Sequence, residues 1–235
     1  MALTKVHNRM IDGASSNIMD YGAVGDGIAD DTSAIQVALN SGAKSVYVPS
    51  GTYLITALTI TSEMVVYGEG KLIRNAVAYS PMINITSSNV EIDGLKFDGA
   101  GAGSTIVTGN SAEVAVQATG TNSTAQITNI KIRNTVIDGV AGVGIRCDYA
   151  NNCIIGSNII LNCGYAGVLC LSIIDSVITK NRINNINAAS GVVNWYGITL
   201  TRDPTVPTTS SARSANCIVT ENIVSNVVQW TGIDF

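Results

Sequence analysis

Five ten-residue segments of this chain repeat one pattern, and a repeat of this kind constrains the fold more than any single residue does. The segments start at Asn89, Asn129, Cys153, Ser176 and Cys217 and read NVEIDGLKFD, NIKIRNTVID, CIIGSNIILN, SVITKNRINN and CIVTENIVSN. They align without a gap, with Val or Ile at position two, Gly or Asn at position six and Asp or Asn at position ten. Their starts are 40, 24, 23 and 41 residues apart, which indicates a period near 23 residues with extra chain inserted twice.

A second, shorter repeat follows the first at similar distances. It reads GIRCD at Gly144, GVLCL at Gly167, GITLT at Gly197 and GIDF at Gly232. Its second and fourth positions are apolar, which is the alternation of a strand with one face turned inward. Short strands, polar corners and this period predict coils of three strands stacked about 4.8 Å apart. Asn at the corners tolerates left-handed backbone, and stacked Asn amides can hydrogen-bond from coil to coil.

Composition agrees with an all-β chain and narrows the classes of function. Hydrophobic residues make up 46% and charged residues only 13%, yet no apolar run is long enough to span a bilayer. The net charge of −4, without a Lys/Arg cluster, argues against nucleic-acid binding. The five cysteines lie in apolar runs and form no paired CxxC motif, so we expect reduced core thiols and no metal or cofactor.

The segment from residue 17 to residue 55 predicts a cap for one end of the stack. It reads NIMDYGAVGDGIADDTSAIQVALNSGAKSVYVPSGTYLI. Its first glycines suit tight turns, and Asp30 or Asp31 is placed to cap a helix over about 31–41 that Gly42 ends. Ile35, Val37 and Leu39 would give the helix its apolar surface, and strands are expected at 45–48 and 52–55. A helix over the first coil would shield the open edge of a parallel stack.

This segment resembles the start of pectate-lyase-superfamily β-helices, in which DxGAxGDGxxDDTxAIQ precedes VYxPxGxY. The preceding VHNRMIDG, residues 6–13, looks like the leader of bacteriophage tailspike and tail-fibre members. The resemblance implies an all-β fold, a right-handed parallel β-helix of about 23-residue coils with a short N-terminal capping helix. It divides the chain into a leader, 1–16, for virion attachment or trimer contact, and a β-helix domain, 17–235.

The same resemblance implies a homotrimeric virion appendage, made in the host cytoplasm and joined to other tail proteins. The first twenty residues contain no apolar core of a signal peptide, which agrees with that origin. Such appendages contact host surface polysaccharide, and many cleave it. The NTD, DD and GHG motifs of polygalacturonases do not occur along the repeats, and the only histidine is His7 in the leader. A glycan-binding appendage is therefore the leading hypothesis; an active depolymerase and a purely structural virion adaptor are its alternatives.

If the chain is a depolymerase, outward positions of the second repeat would supply its carboxylates. An inverting glycosidase needs two of them roughly 6.5–9.5 Å apart, which is about two coils of the stack. Asp148 and Asp203 fit that separation in the repeat, whereas Asp234 lies about three coils from Asp148. Asp148 and Asp203 are thus the candidate catalytic pair.

Glycan-binding candidates lie near the same positions. Trp195, Tyr196, Arg202 and Arg146 would combine aromatic rings with charged donors, which suits the C–H faces and hydroxyls of sugars. The alternative is that Trp195 and Tyr196 fill a subunit interface and that Arg202 forms an ordinary surface pair with Asp203. Leu169 and Leu171 point outward in this register, which favours a subunit contact there.

Overall fold

The computed structural model describes residues 15–75, 80–99, 113–186, 196–201, 214–227 and 231–234, and every structural statement below concerns these residues. A 3-10 helix spans Ile18–Tyr21 and one α-helix, α1, spans Thr32–Leu39. The strands in chain order are β1 (Ser16–Asn17), β2 (Asp26–Asp30), β3 (Ser45–Val48), β4 (Thr52–Ile55), β5 (Leu58–Ile60), β6 (Met64–Gly68), β7 (Lys71–Arg74), β8 (Ile83–Ile85), β9 (Val90–Asp93), β10 (Lys96–Asp98), β11 (Val114–Thr119), β12 (Ile127–Thr128), β13 (Ile130–Arg133), β14 (Val136–Asp138), β15 (Val143–Asp148), β16 (Ala150–Asn151), β17 (Ile154–Gly156), β18 (Ile159–Leu161), β19 (Ala166–Leu171), β20 (Val177–Thr179), β21 (Arg182–Ile186), β22 (Tyr196–Thr201), β23 (Ile218–Thr220), β24 (Ile223–Val227) and β25 (Thr231–Asp234).

All strands except β12 and β16, which pair with each other, stack into three parallel sheets, as the repeat predicts. Sheet A has the order β1-β3-β6-β9-β13-β17-β20-β23, sheet B has β2-β4-β7-β10-β14-β18-β21-β24, and sheet C has β25-β22-β19-β15-β11-β8-β5. The chain visits A, B and C in turn, so each circuit is one coil of a right-handed parallel β-helix. Lys131, Ile154 and Val177 are register partners in sheet A, 23 residues apart each time, which confirms the predicted coil length.

In the structure, the last three ten-residue segments are shifted by one residue relative to the first two, although all five sequences align without a gap. Ile130 pairs with Val90 as expected, but Ile154 pairs with Lys131 and is therefore exposed. The reason lies at the turn between sheets A and B. The first two segments place Gly94 and Asn134 in left-handed backbone there, whereas the last three place Ser157, Lys180 and Glu221 in it.

The predicted Asn column is consequently confined to the later coils, where it is buried. Asn158 Nδ2 donates to Asn181 Oδ1 at 2.9 Å, and Asn181 Nδ2 donates to Asn222 Oδ1 at 2.9 Å. Thr135 occupies the equivalent position one coil earlier, and its hydroxyl donates to Asn158 Oδ1. These bonds satisfy polar groups at the corner of the core, where an unpaired amide would be costly.

The second repeat has the predicted register, and its glycine has a steric cause. Ile145, Val168, Ile198 and Ile233 are successive partners in sheet C. A Cβ on Gly144 would lie 2.7 Å from the Gly167 carbonyl oxygen and 2.7 Å from a methyl of Ile160 in sheet B. A Cβ on Gly167 would lie 2.6 Å from the Gly197 carbonyl oxygen and 2.6 Å from a methyl of Ile183. Only glycine therefore lets sheets B and C approach this closely at their shared corner.

The N-terminal cap forms as predicted, with corrected details. Helix α1 ends at Leu39, earlier than the Gly42 terminus expected, and Val37 is exposed and contributes nothing to the buried face. Asp31 precedes the helix, but its carboxylate accepts from the Val24 and Gly25 amides instead of capping it. Asp30 makes the capping contact.

One side chain of the helix closes the edge of sheet C. Gln36 Nε2 donates to the Thr59 carbonyl at 2.9 Å, and the Thr59 amide donates to Gln36 Oε1 at 2.9 Å. The amide thereby replaces the missing neighbour of β5, which is the outermost strand of that sheet. This pairing blunts an edge that would otherwise invite association.

Apolar side chains at the inward positions of the strands stack in columns, and these columns fill the interior. The five cysteines are free thiols and four are buried, as expected. Burial raises the pKa of the Cys163 thiol to about 12, so the thiol is protonated at neutral pH. Among the described residues, no helix is long and apolar enough to cross a membrane.

Candidate functional site on the outward face of sheet C

Sheet C is flanked along the sequence by long segments of chain. Three of them, 99–113, 187–195 and 202–217, each separate a strand of sheet C from a strand of a neighbouring sheet. Strands β11, β15, β19 and β22 lie side by side in this sheet and present outward side chains on one face. Parallel stacking aligns those side chains in columns, so neighbours in space are one coil apart in sequence.

Arg146 and Asp148 form an ion pair on β15, at the centre of this face. Arg146 Nε donates to Asp148 Oδ2 at 2.7 Å, and the Asp148 side chain is only 6% exposed. Both side chains point outward, because the intervening Cys147 lies in the core. The guanidinium charge offsets the cost of holding a carboxylate in so dry a place. The outward placement that the repeat predicts for both residues is confirmed, whereas their roles in glycan binding and catalysis stay predictions.

An apolar cluster lies beside the ion pair on the same face. Val114, Val143, Ala166 and Leu169 are buried together, and Leu171, Tyr165 and Tyr196 pack against them. Leu169 pairs in register with Arg146, and Leu171 with Asp148, so the outward placement of both leucines is confirmed. Leu169 is nevertheless 93% covered by its own chain, whereas Leu171 is half-buried. Their role in a subunit contact stays a prediction.

Tyr196 begins β22 and borders the cluster. Burial raises the pKa of its hydroxyl, and the negative charge of Asp234 and the nearby Tyr165 raise it further. The phenol is thus neutral at ordinary pH and can donate one hydrogen bond. Tyr196 is partly exposed, and its role in glycan binding stays a prediction.

The remaining candidates lie apart or outside the described residues. Trp195, Arg202 and Asp203 fall in the undescribed segments, so the catalytic pair of Asp148 with Asp203 stays a prediction. Asp234 is three coils from the level of Arg146 through the register of β15, β19, β22 and β25, as expected. Within the described part of the chain, no group of three His, Cys, Asp or Glu side chains could hold a metal ion.

Sequence reasoning missed one buried ion pair close to this face. Arg74 Nε lies 3.3 Å from Glu113 Oε1, with side chains 0% and 2% exposed. Burial lowers the pKa of Arg74 and raises that of Glu113, and each partner's charge opposes the shift. The signal was present in the strand KLIR, where Arg74 occupies the same inward parity as Leu72. The pair joins the end of β7 to the start of β11.

Three parallel sheets wound into a capped coil define a right-handed parallel β-helix of the pectate-lyase type. The family described as "Rhamnogalacturonase A/epimerase, pectate lyase-like" matches residues 15–218, and this chain belongs to it. Two curated relatives illustrate the sequence likeness. Mannuronan C5-epimerase AlgE5 of Azotobacter vinelandii is 39% identical over 66 residues, covering 23% of this chain and 7% of that protein. The preneck appendage protein of Bacillus phage PZA is 44% identical over 62 residues, covering 26% of this chain and 7% of that protein.

Solved structures share the fold at low identity. An exopolygalacturonase from Thermotoga maritima has a TM-score of 0.66 at 16% identity, covering 93% of this chain and 68% of that one. The enzymatically active domain of tailspike protein 2 from bacteriophage CBA120 has a TM-score of 0.63 at 16% identity, covering 93% and 36%. The chain thus spans only a small part of its curated relatives, and the structural likeness concerns the fold alone.

Proposed function

We propose that this chain is part of a bacteriophage tail appendage and binds host surface polysaccharide through the outward face of sheet C. Two likenesses support the phage setting: the preneck appendage protein in sequence and a phage tailspike in fold. The virion is then its location, and other tail proteins are its partners.

The observation that carries the binding proposal is the composition of the sheet C face. A charge pair, Arg146 with Asp148, stands beside an apolar cluster bordered by Tyr165 and Tyr196. Sugars offer apolar C–H faces and polar hydroxyls, so they need apolar contacts and fixed polar groups side by side. Strands hold these side chains more rigidly than loops would, which lowers the entropic cost of binding.

Cleavage of the bound polysaccharide is the second candidate function. The structural neighbours include an exopolygalacturonase and an enzymatically active tailspike domain, and Asp148 would supply one carboxylate here. Hydrolysis needs a second carboxylate, for which Asp203 is the candidate. A structural adaptor that binds no glycan is the third reading.

Capsular polysaccharide and lipopolysaccharide from candidate host bacteria test these alternatives directly. We expect the purified chain to bind one of them, and R146K to weaken that binding about tenfold, because Lys keeps the charge but loses the planar fork of donors. R182K is the matched control, since Arg182 is exposed on sheet B. Absence of binding to every host glycan would favour the adaptor.

Product formation separates binding from cleavage. New reducing ends or ultraviolet-absorbing unsaturated ends after incubation would establish a depolymerase, and their loss in D148N would assign Asp148. Binding without products would support recognition alone. The homotrimer is tested by light scattering, where we expect three times the 24.4 kDa of one chain; a monodisperse monomer would contradict it.

A further inference from the structure

A groove with a mixed apolar and polar lining lies on the outward face of sheet A, away from the sheet C face. It encloses about 340 Å³ and is lined by Val65, Asn89, Val90, Glu91, Asn129, Lys131, Asn152 and Ile154. That volume falls at the lower end of the range for small-ligand sites, roughly 300–1,000 Å³. Apolar side chains share its lining with carboxylate, ammonium and amide groups, which is the mixture that fixes the orientation of a ligand.

Stacked amides form one wall of this groove. Asn129 Nδ2 donates to Asn89 Oδ1 at 2.7 Å, and Asn152 donates in the same direction to Asn129. All three residues have left-handed backbone, with φ between 52° and 59°, so their side chains are held at the turn before sheet A. Asn152 is the last of these three amides, and it lines the groove together with Ile154.

Glu91 and Lys131 of the lining belong to a charged cluster that extends beyond the groove to Arg133 and Asp93. Glu91 is bonded by Arg133 Nε at 2.6 Å and lies 3.8 Å from Lys131 Nζ, while Arg133 also bridges to Asp93 at 3.2 Å. Both cations keep nearly half of their side-chain surface exposed. Their N–H groups can therefore reach ligand hydroxyls while the carboxylates hold them in place.

An aromatic surface borders the groove, beginning two residues after Val65 on β6. Tyr47 and Tyr67 are register partners whose ring centroids lie 5.3 Å apart at 37°, and Tyr67 is partly exposed. Tyr67 pairs in turn with Asp93, which pairs with Arg133. The rings thus stand on the coils that precede the charged cluster, in one column with Asp93 and Arg133. Sugar rings stack on such aromatic faces.

We propose that this groove is a second carbohydrate-binding site, for a neutral oligosaccharide lying along the coil axis. A neutral ligand fits because the cations of the groove already pair with carboxylates. The face also carries Glu69, whose charge raises the pKa of Tyr47 and would repel an anionic sugar. The sheet A groove makes no use of the sheet C residues, so the two sites can be tested separately.

Saturation-transfer NMR and calorimetry with neutral gluco-, manno- and galacto-oligosaccharides test the proposal. We expect millimolar or tighter binding of at least one of them by the unaltered chain. K131A should weaken it about tenfold, the effect of losing one charge-assisted hydrogen bond. Y67A should weaken it severalfold through loss of ring stacking.

K180A is the matched control, because Lys180 is another exposed lysine paired with a carboxylate, at Glu221, outside the groove. Binding by K180A and by R146K should equal that of the unaltered chain. Equal loss in K180A, unchanged binding in both K131A and Y67A, or loss in R146K alone would overturn the proposal. Failure to bind every neutral oligosaccharide would also overturn it, whatever the result with host polysaccharide at sheet C.

Discussion

Replacing Glu113 by Gln tests how the β-helix tolerates a buried charge pair. The variant removes the carboxylate that faces Arg74 at 3.3 Å while keeping the shape of the side chain. Both side chains are almost fully buried, so solvent cannot replace the lost charge. Breaking a buried ion pair from one side costs about 3–5 kcal/mol, because the other charge stays desolvated. We expect E113Q to lose that much free energy of unfolding.

The double variant R74M/E113L replaces both charges by apolar side chains, and so distinguishes the effect of the charges from that of packing at the same site. Apolar side chains of similar volume avoid both desolvation costs, so the double variant should recover most of the stability lost in E113Q. Urea unfolding, with the refolding curve superimposed to establish reversibility, measures each free energy. The exposed pair of Lys180 and Glu221 is the control, and E221Q should cost less than about 1 kcal/mol. A cost for E113Q equal to that of E221Q would refute the reasoning.

Three further predictions, on coil packing, the amide ladder and acid stability, use the same unfolding measurement. G167A should cost about 1–3 kcal/mol because its Cβ would meet backbone at 2.6 Å, whereas G156A, with 3.5 Å of clearance, should change stability by less than about 1 kcal/mol; equal costs would contradict this. D175N should gain about 1 kcal/mol by adding an amide donor toward Asn152 one coil away, and no gain would contradict it. The Thr32 hydroxyl and amide lower the pKa of Asp30 below 3.8, so its contribution is present above that pH and is lost as the pH falls through the lowered pKa. D30A should therefore lose less stability on acidification than the unaltered chain, and parallel losses would contradict it.

The architecture of this chain could be predicted because its strands repeat. Apolar alternation in GIRCD and its successors places Ile145, Val168 and Ile198 in one inward column, and the structure has that register. The strands at 45–48 and 52–55 follow from a Pro-Ser-Gly turn between apolar alternations and have the predicted bounds. In these segments the local sequence pattern and the stacking of coils favour the same structure, so the pattern alone is enough to predict it.

The coil-to-coil register of the ten-residue segments could not be predicted from their aligned sequences alone. Asn134 and Asn158 occupy the same alignment column, yet one is a left-handed turn residue and the other a buried amide. Asn suits both environments, since its side chain tolerates left-handed backbone and its amide satisfies buried partners. A one-residue slip exchanges inward and outward positions, and only cross-coil contacts, such as the Thr135 bond to Asn158, fix it.

The candidate site was predictable in part for the same reason. Arg146 and Asp148 are two positions apart on one strand, so alternation alone brings them together. Glu113 and Arg74 are 39 residues apart and meet only at a corner between sheets. No local sequence pattern predicts such a contact. A charged residue at an inward position of β7 indicates only that it must have a partner.

Stacked coils also explain how one short fold can present two separate polar faces. Each outward column is supported by its own sheet, and inward columns fill the space between sheets with apolar side chains. The sheet A groove depends on turn residues such as Asn89 and Asn129, whose spacing is maintained by the ladder itself. The sheet C face instead consists of outward side chains on strands such as β15 and β19, whose register is maintained by their own ladder. Substitutions on one face should therefore leave the other intact, which is why R146K and K131A serve as controls for each other.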